Sequence, residues 1–472
     1  MRDIAFWLSL ALVFTIPWEN VIFLESLGTV SRAVGLIVAA FWVATVVVTG
    51  KVRKPRPFHI AIYLFVLWNI ISVFWSLDIE QTMYRVRTYA QLVGLILIIW
   101  DLYATPKALQ SALQAYVLGA YVAVGSTVFN YVTAPEATSI RFAATGFNPN
   151  DLGLILALGM PAAWHLATGS DLNSIGRVLR PVNFAYIPAA LLAILLTASR
   201  GSLLATVPAL VFIGGSLPRL SLPVRSLAIV ALTAALFAVQ PLVPQASIQR
   251  LMSTSASISQ GGLGGRMDIW RQGLAISTEH PLLGVGGGAF REAMDRYPQG
   301  TVAHNVFLSV FVELGIVGLG LFAVVLVLVV AEAMQQPRQQ AWLWLATLMV
   351  WTIGAFVHTW EHKKPTWLFL DLVVVGAGLV SRDDESWVRL GSWAGSTSST
   401  HRGEGDRDYG SFAKRGSART SRTGQPSLSP TTTKSDRGDL AITASRDEPE
   451  YSQDPKTDDG SRGPRKGGSQ PA

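Results

Sequence analysis

Apolar runs long enough to cross a bilayer recur along this chain from residue 4 to residue 380. Spanning roughly 30 Å of hydrocarbon takes about 20 mostly apolar residues. Within lipid a continuous apolar run satisfies its own backbone N–H and C=O groups by coiling into an α-helix. The pattern therefore predicts an all-α polytopic integral membrane protein of about twelve transmembrane helices. They fall near residues 4–17, 33–49, 58–77, 87–103, 108–132, 152–168, 183–199, 201–217, 225–243, 305–331, 341–358 and 366–380. Composition agrees, since half of the 472 residues are hydrophobic and only 15% are charged, fewer charges than soluble domains carry. The first run, MRDIAFWLSLALVFTIPW, closes on Pro17-Trp18-Glu19 without a small-x-small cleavage pattern, so it is read as a retained span.

Several function classes drop out at once. The chain has no cysteine, which excludes disulfides, thiolate metal sites and cysteine nucleophiles. Its seven histidines show no HExxH or comparable ligand spacing, so nothing supports a metal or cofactor site. The isoelectric point near 9.6 invites a nucleic-acid reading. The basic residues sit mostly at loops and helix ends of the membrane body, where they set orientation, and nucleic acid is not expected as a partner.

Residues 1–380 read as a membrane body and 381–472 as a hydrophilic tail rich in Ser, Thr, Gly, Arg and Asp. Such a tail buries too little apolar surface to offset its ordering entropy, and disorder is expected. Two loops stand out: the polar 133–151, and the long 244–304 with a helical signal in RMDIWRQGLAIS and a glycine turn in LLGVGGGAF. Lys51, Arg53, Lys54 and Arg56 follow the second span, and Lys107, Arg177, Arg180, Arg219, Arg225 and Arg338 follow later even-numbered ones. Positive loops face the cytoplasm, which places both termini on the cytoplasmic side and both unusual loops on the outer side.

That orientation gathers Arg141, Arg200, Arg266 and His304 at the outer face. Arginine binds phosphate through a planar, permanently charged fork, so two or three of them could stabilise a departing lipid diphosphate without a metal. A histidine there could take a proton at neutral pH. Each residue also has a plainer reading. Arg200 in TASRG could snorkel at a helix end, Arg266 after GGLGG could pair with Asp268 or Glu279, and His304 could simply mark a helix entrance beside Asn305. Glu313, inside a membrane run, is a functional candidate or a partner for a neighbouring helix. The GVGGG cluster could aim N–H groups at an anion, but no P-loop Lys-Ser/Thr follows it, and a tight turn is the simpler reading. His280 before Pro281 reads as structural, His358 and His362 share an outer loop with nothing to single them out, and Gly315, Gly318 and Gly320 suit close helix packing.

HPLLGVGGGAF followed by AHNVFLSVFVELGIVGLGLF resembles the Wzy-type domain of the O-antigen ligase and polymerase superfamily. The likeness extends back through GGRMDIWRQGL and TASRGSLLA to RFAATGFNPNDLG and so covers roughly residues 140–330. It implies a metal-independent, inverting glycosyltransferase of the C superfamily, in its ligase-like form. The donor it implies is a glycan on undecaprenyl diphosphate, and the acceptor a sugar hydroxyl in cell-surface polysaccharide or lipopolysaccharide. Carried over, Arg200 and Arg266 match arginines that hold the diphosphate, Arg141 a further donor-side arginine, and His304 the histidine that activates the acceptor. Ligases, repeat-unit polymerases and protein-glycosylating enzymes share these motifs. A transporter or flippase of lipid-linked glycans is the rival from another class, although no internal repeat of the kind transporters carry is evident.

Overall fold

A computed structural model describes residues 1–25, 28–133, 141–169, 174–239, 243–252, 266–294, 302–381 and 387–389. All of them fall in one unit, Met1–Ser398. Each of the predicted runs is a helix. They are α1 (Arg2–Thr15), α2 (Val30–Thr49), α3 (Pro57–Ile71), α4 (Ile79–Leu102), α5 (Pro106–Thr133), α6 (Pro149–Thr168), α8 (Arg180–Leu196), α9 (Arg200–Ser216), α10 (Leu222–Val239), α14 (Val306–Met334), α15 (Arg338–Ala355) and α16 (Lys364–Val380). Between them lie α7 (Ser174–Val178), α11 (Gln245–Met252), α12 (Arg266–Glu279) and α13 (Phe290–Ala293). Among the described residues, six helices are long and apolar enough to cross a membrane by length and composition: α2, α3 with its extension to Trp75, α5, α6, α9 with its extension to Arg219, and α14.

Local chemistry sets the helix starts. Proline, which needs no N–H partner there, occupies the first turn of α3, α6, α8 and α16. Asp78, Asn148, Ser199 and Asn305 cap α4, α6, α9 and α14 by accepting a backbone N–H into the side chain. Asn305 therefore has a structural duty, its Oδ1 accepting from Leu308 N at 3.0 Å.

The helices alternate between two polar ends. At one end Asp101 accepts from Arg2 (3.0 Å), from Trp42 Nε1 (3.0 Å) and from Arg53 N (2.8 Å). There too Arg56 grips Glu332 through Nε and Nη2, and reaches Ser381. At the other end Glu19 accepts from Lys364 and Ser31, joining the end of α1 to the starts of α2 and α16. The sequence places tail from 381 onward, yet Trp387–Arg389 forms an antiparallel strand, β2, with Lys51–Arg53 (β1), Val388 standing opposite Val52. An unpaired edge beside the first polar end accepts the returning backbone. Residues 390–472 lie outside the described residues.

α6 and α16 are buried nearly all round, as helices apolar on every face should be. Both begin at the second polar end, so their first turns and the 356–363 segment before α16 are held on the most enclosed scaffold.

α14 is broken. Gly315 adopts φ 64° and ψ −168° inside it, and the 280–288 turn fills the gap. Val285 N and Gly286 N donate to Val312 O (3.0 Å) and Glu313 O (2.8 Å), Trp68 Nε1 to Leu314 O (3.0 Å), and Ile316 N to Pro281 O (2.9 Å). A helix break at membrane depth leaves main-chain groups that water cannot reach, and here the turn satisfies them. Gly315 serves this insertion and not helix-to-helix packing, for any Cβ there would collide with Leu282 O. A Cβ at Gly320 would meet nothing, so close packing does not explain that glycine either.

Candidate functional site

The second polar end collects the residues singled out from sequence. Arg141 donates from Nε to Thr197 O (3.0 Å) and from Nη2 to Asn150 Oδ1 (2.6 Å). The same Asn150 oxygen accepts from Ser199 Oγ at 2.9 Å, and Ser199 caps the helix that Arg200 opens. Ser202 Oγ donates to Asn150 O (2.9 Å), closing the junction of α6 and α9. Arg141 and Arg200 thus flank one knot, although 59 positions separate them in sequence.

Arg266 and His304 form the other half. Trp270 Nε1 donates to Ala303 O at 2.9 Å, fixing α12 against the residue before His304. Arg266 starts α12 and does not take Asp268, which pairs with Arg271 at 3.6 Å. His304 itself has φ 48°, and Ala198, two residues before Arg200, has φ 45°. They are the only non-glycine residues of positive φ among the described residues. A left-handed backbone costs such residues on the order of 1–3 kcal/mol and concentrates at functional sites.

A histidine–aspartate pair lies between these halves. His358, buried, faces Asp151 Oδ1 through Nδ1 at 3.6 Å, and Trp360 Nε1 donates to the same oxygen at 2.8 Å. His358 Nε2 is buried and without a partner among the described residues. With Nδ1 turned to a carboxylate, that nitrogen is free to accept a proton or a hydrogen bond. Nothing within FVHTWEHKKP announced this, because the partner of His358 lies 207 positions earlier.

Electrostatics tie the set together. Burial lowers the pKa of His304 below the usual histidine value, the nearby charges of Arg266 and His358 lower it further, and Asp151 opposes them. His304 is therefore neutral at pH 7 and able to accept a proton. Burial also lowers the Arg266 pKa from its ordinary value, though an arginine keeps its charge at any physiological pH.

Glu313 belongs to a neighbouring cluster. Its carboxylate lies 3.6 Å from Arg85, which also donates to Glu361 at 2.7 Å. Gly288 N donates to Glu313 Oε2 at 2.7 Å. The glycine turn does aim an N–H at an anion, and that anion is the protein's own carboxylate. His362 Nδ1 meets Arg85 at 2.8 Å, and burial, with the arginine charge second, pushes its pKa down to about 4. Trp367 Nε1 holds Glu361 O at 2.7 Å and Thr366 Oγ1 holds Trp360 O at 2.8 Å, so the 358–362 segment is anchored from both sides.

Compared with known proteins, residues 185–323 match the family model described as O-Antigen ligase. Residues 185–323 carry an O-antigen ligase domain. Residues 185–323 contain Arg200, Arg266, His304 and the break at Gly315, whereas Arg141, Asp151 and His358 come from outside them. No curated protein matches the chain. The match supports a ligase or polymerase type of function in polysaccharide assembly, at a membrane.

Proposed function

We propose that this protein is a membrane glycosyltransferase that moves a glycan from undecaprenyl diphosphate to an acceptor sugar hydroxyl at the outer face of a bacterial plasma membrane. The observation that carries the reading is His304: a neutral imidazole on a strained backbone, with Arg266 beside it and the Asp151–His358 pair within electrostatic reach. In the reaction, His304 takes the proton of the acceptor hydroxyl, whose oxygen bonds to the anomeric carbon as the bond to the diphosphate oxygen breaks. Arg200 and Arg266, with Arg141 behind Arg200, stabilise the charge on the departing diphosphate. His358 offers its free nitrogen to the acceptor or to the proton released. The reaction needs no metal in this scheme, and attack opposite the leaving group inverts the anomeric centre. A repeat-unit polymerase uses the same steps on a different acceptor.

A transporter moves its lipid only between compartments. Protein purified in detergent and given lipid-linked glycan with acceptor is therefore expected to release undecaprenyl diphosphate; intact donor after prolonged incubation would count for transport. The pH dependence tests the base. kcat/KM reports the free enzyme's essential groups, so its acid limb should lie below the ordinary histidine value of about 6.5. Arg266→Gln removes a like charge from beside His304 and should move that limb upward, alongside a loss of rate. The move is partial, because burial is the larger cause of the lowered value. A limb that stays in place would dissociate His304 from the titration.

A further inference from the structure

On α1, α2 and α4, none of which carries Arg141, Arg200, Arg266 or His304, lies a cavity of about 310 Å³. Leu12, Gly35, Leu36, Gly94, Leu95 and Ile98 make its walls apolar. It follows α2 from Arg32 to Ala39 and α4 from Ala90 to Ile98, roughly 10–12 Å of helix length. α2 is largely unburied, with Leu36 53% exposed, so the cavity faces what surrounds the bundle. Such a slot suits a single acyl chain.

Charge at its mouth says what the chain hangs from. Arg32 lines the cavity and is exposed. Arg87, exposed, stands one turn before Gln91 on the same face of α4. Neither makes an ion pair among the described residues. Lys364, the third cation here, is already matched by Glu19. The acidic residue of that α4 face, Glu80, stands two turns further out, about 10 Å beyond Arg87. Tyr84, exposed between them, has the amphipathic ring favoured at headgroup level. Two unmatched arginines above an apolar slot are complementary to a phosphate with one hydrocarbon chain beneath it.

We propose that this cavity binds an anionic phospholipid, with its phosphate on Arg32 and Arg87 and one acyl chain between α2 and α4. The site is separate from the proposed reaction and does not depend on it. Gly94 gives a clean probe, since a Cβ there meets nothing within 4 Å and a larger side chain would occupy the slot without a clash at its root.

The test is native mass spectrometry of the full chain in detergent, with added phosphatidylglycerol, phosphatidylcholine of the same acyl chains, or undecaprenyl phosphate. The wild type should retain one phosphatidylglycerol at least about tenfold more tightly than phosphatidylcholine. Arg32→Gln with Arg87→Gln should erase that preference, and Gly94→Phe should lose the bound lipid while Gly94→Ala keeps it. Equal retention of the two phospholipids by the wild type, or a preference that survives the double variant, overturns the proposal. Tighter retention of undecaprenyl phosphate also overturns it, by assigning the slot to the carrier lipid.

Discussion

His304→Ala is expected to lower turnover by about 10²–10⁴-fold, the usual worth of a positioned general base, while donor binding stays close to wild type. The imidazole acts on the acceptor proton in the proposed scheme, and the arginines that hold the diphosphate remain. Alanine accommodates the left-handed backbone no better than histidine, so the change removes the base without relieving the strain. In cells the lipid-linked glycan profile reads the same variant: long chains on the carrier would accumulate for a ligase and single repeats for a polymerase. A wild-type rate in purified His304→Ala protein would sink the assignment and leave the histidine as the polar entrance of a helix.

Arg85→Ala is expected to have the largest effect on stability. The guanidinium, its side chain 13% exposed, faces the carboxylates of Glu313 and Glu361, which are 5% and 1% exposed. Removing one partner from a buried ion pair costs about 3–5 kcal/mol, because the remaining charges are stranded away from water. Thermal unfolding of the detergent-purified protein should show a clearly lowered midpoint. Arg85→Ala combined with Glu313→Gln and Glu361→Gln should recover part of it, since the stranded charges are gone. An unchanged midpoint in the single variant would falsify the view that this cluster holds the glycine turn and the 358–362 segment together.

The helices were legible in the sequence because bilayer thickness imposes one length on every apolar run. Arg141, Arg200, Arg266 and His304 stand out because the charge bias of the loops gathers them on one side of the membrane. Their surroundings were not legible. Asp151 looks like an ordinary first-turn carboxylate until α16's leading segment brings His358 and Trp360 to it. Arg85 sits in the polar opening of α4, and its partners lie 228 and 276 positions later. The GVGGG stretch announced a turn correctly, but a turn's own residues do not say what it will dock against. Gly315 has the look of a packing glycine in a membrane helix, whereas the break it permits depends on a segment about 30 residues upstream. Pairings across elements are fixed by packing, and local pattern carries no trace of them.

The broken α14 also sets a mechanical relation between two parts of the molecule. The turn wedged at Gly315 leads directly out of α12, so that helix is held at its C-terminal end by main-chain hydrogen bonds. Arg266 sits at the other end, about 20 Å away along the axis. α12 is in effect a beam pinned near both ends, by that turn and by Trp270, whose Nε1 donates to Ala303 O, so an error at either pin tilts it. The position of the arginine beside His304 is then set in part from the far end, by a glycine that touches neither of those side chains.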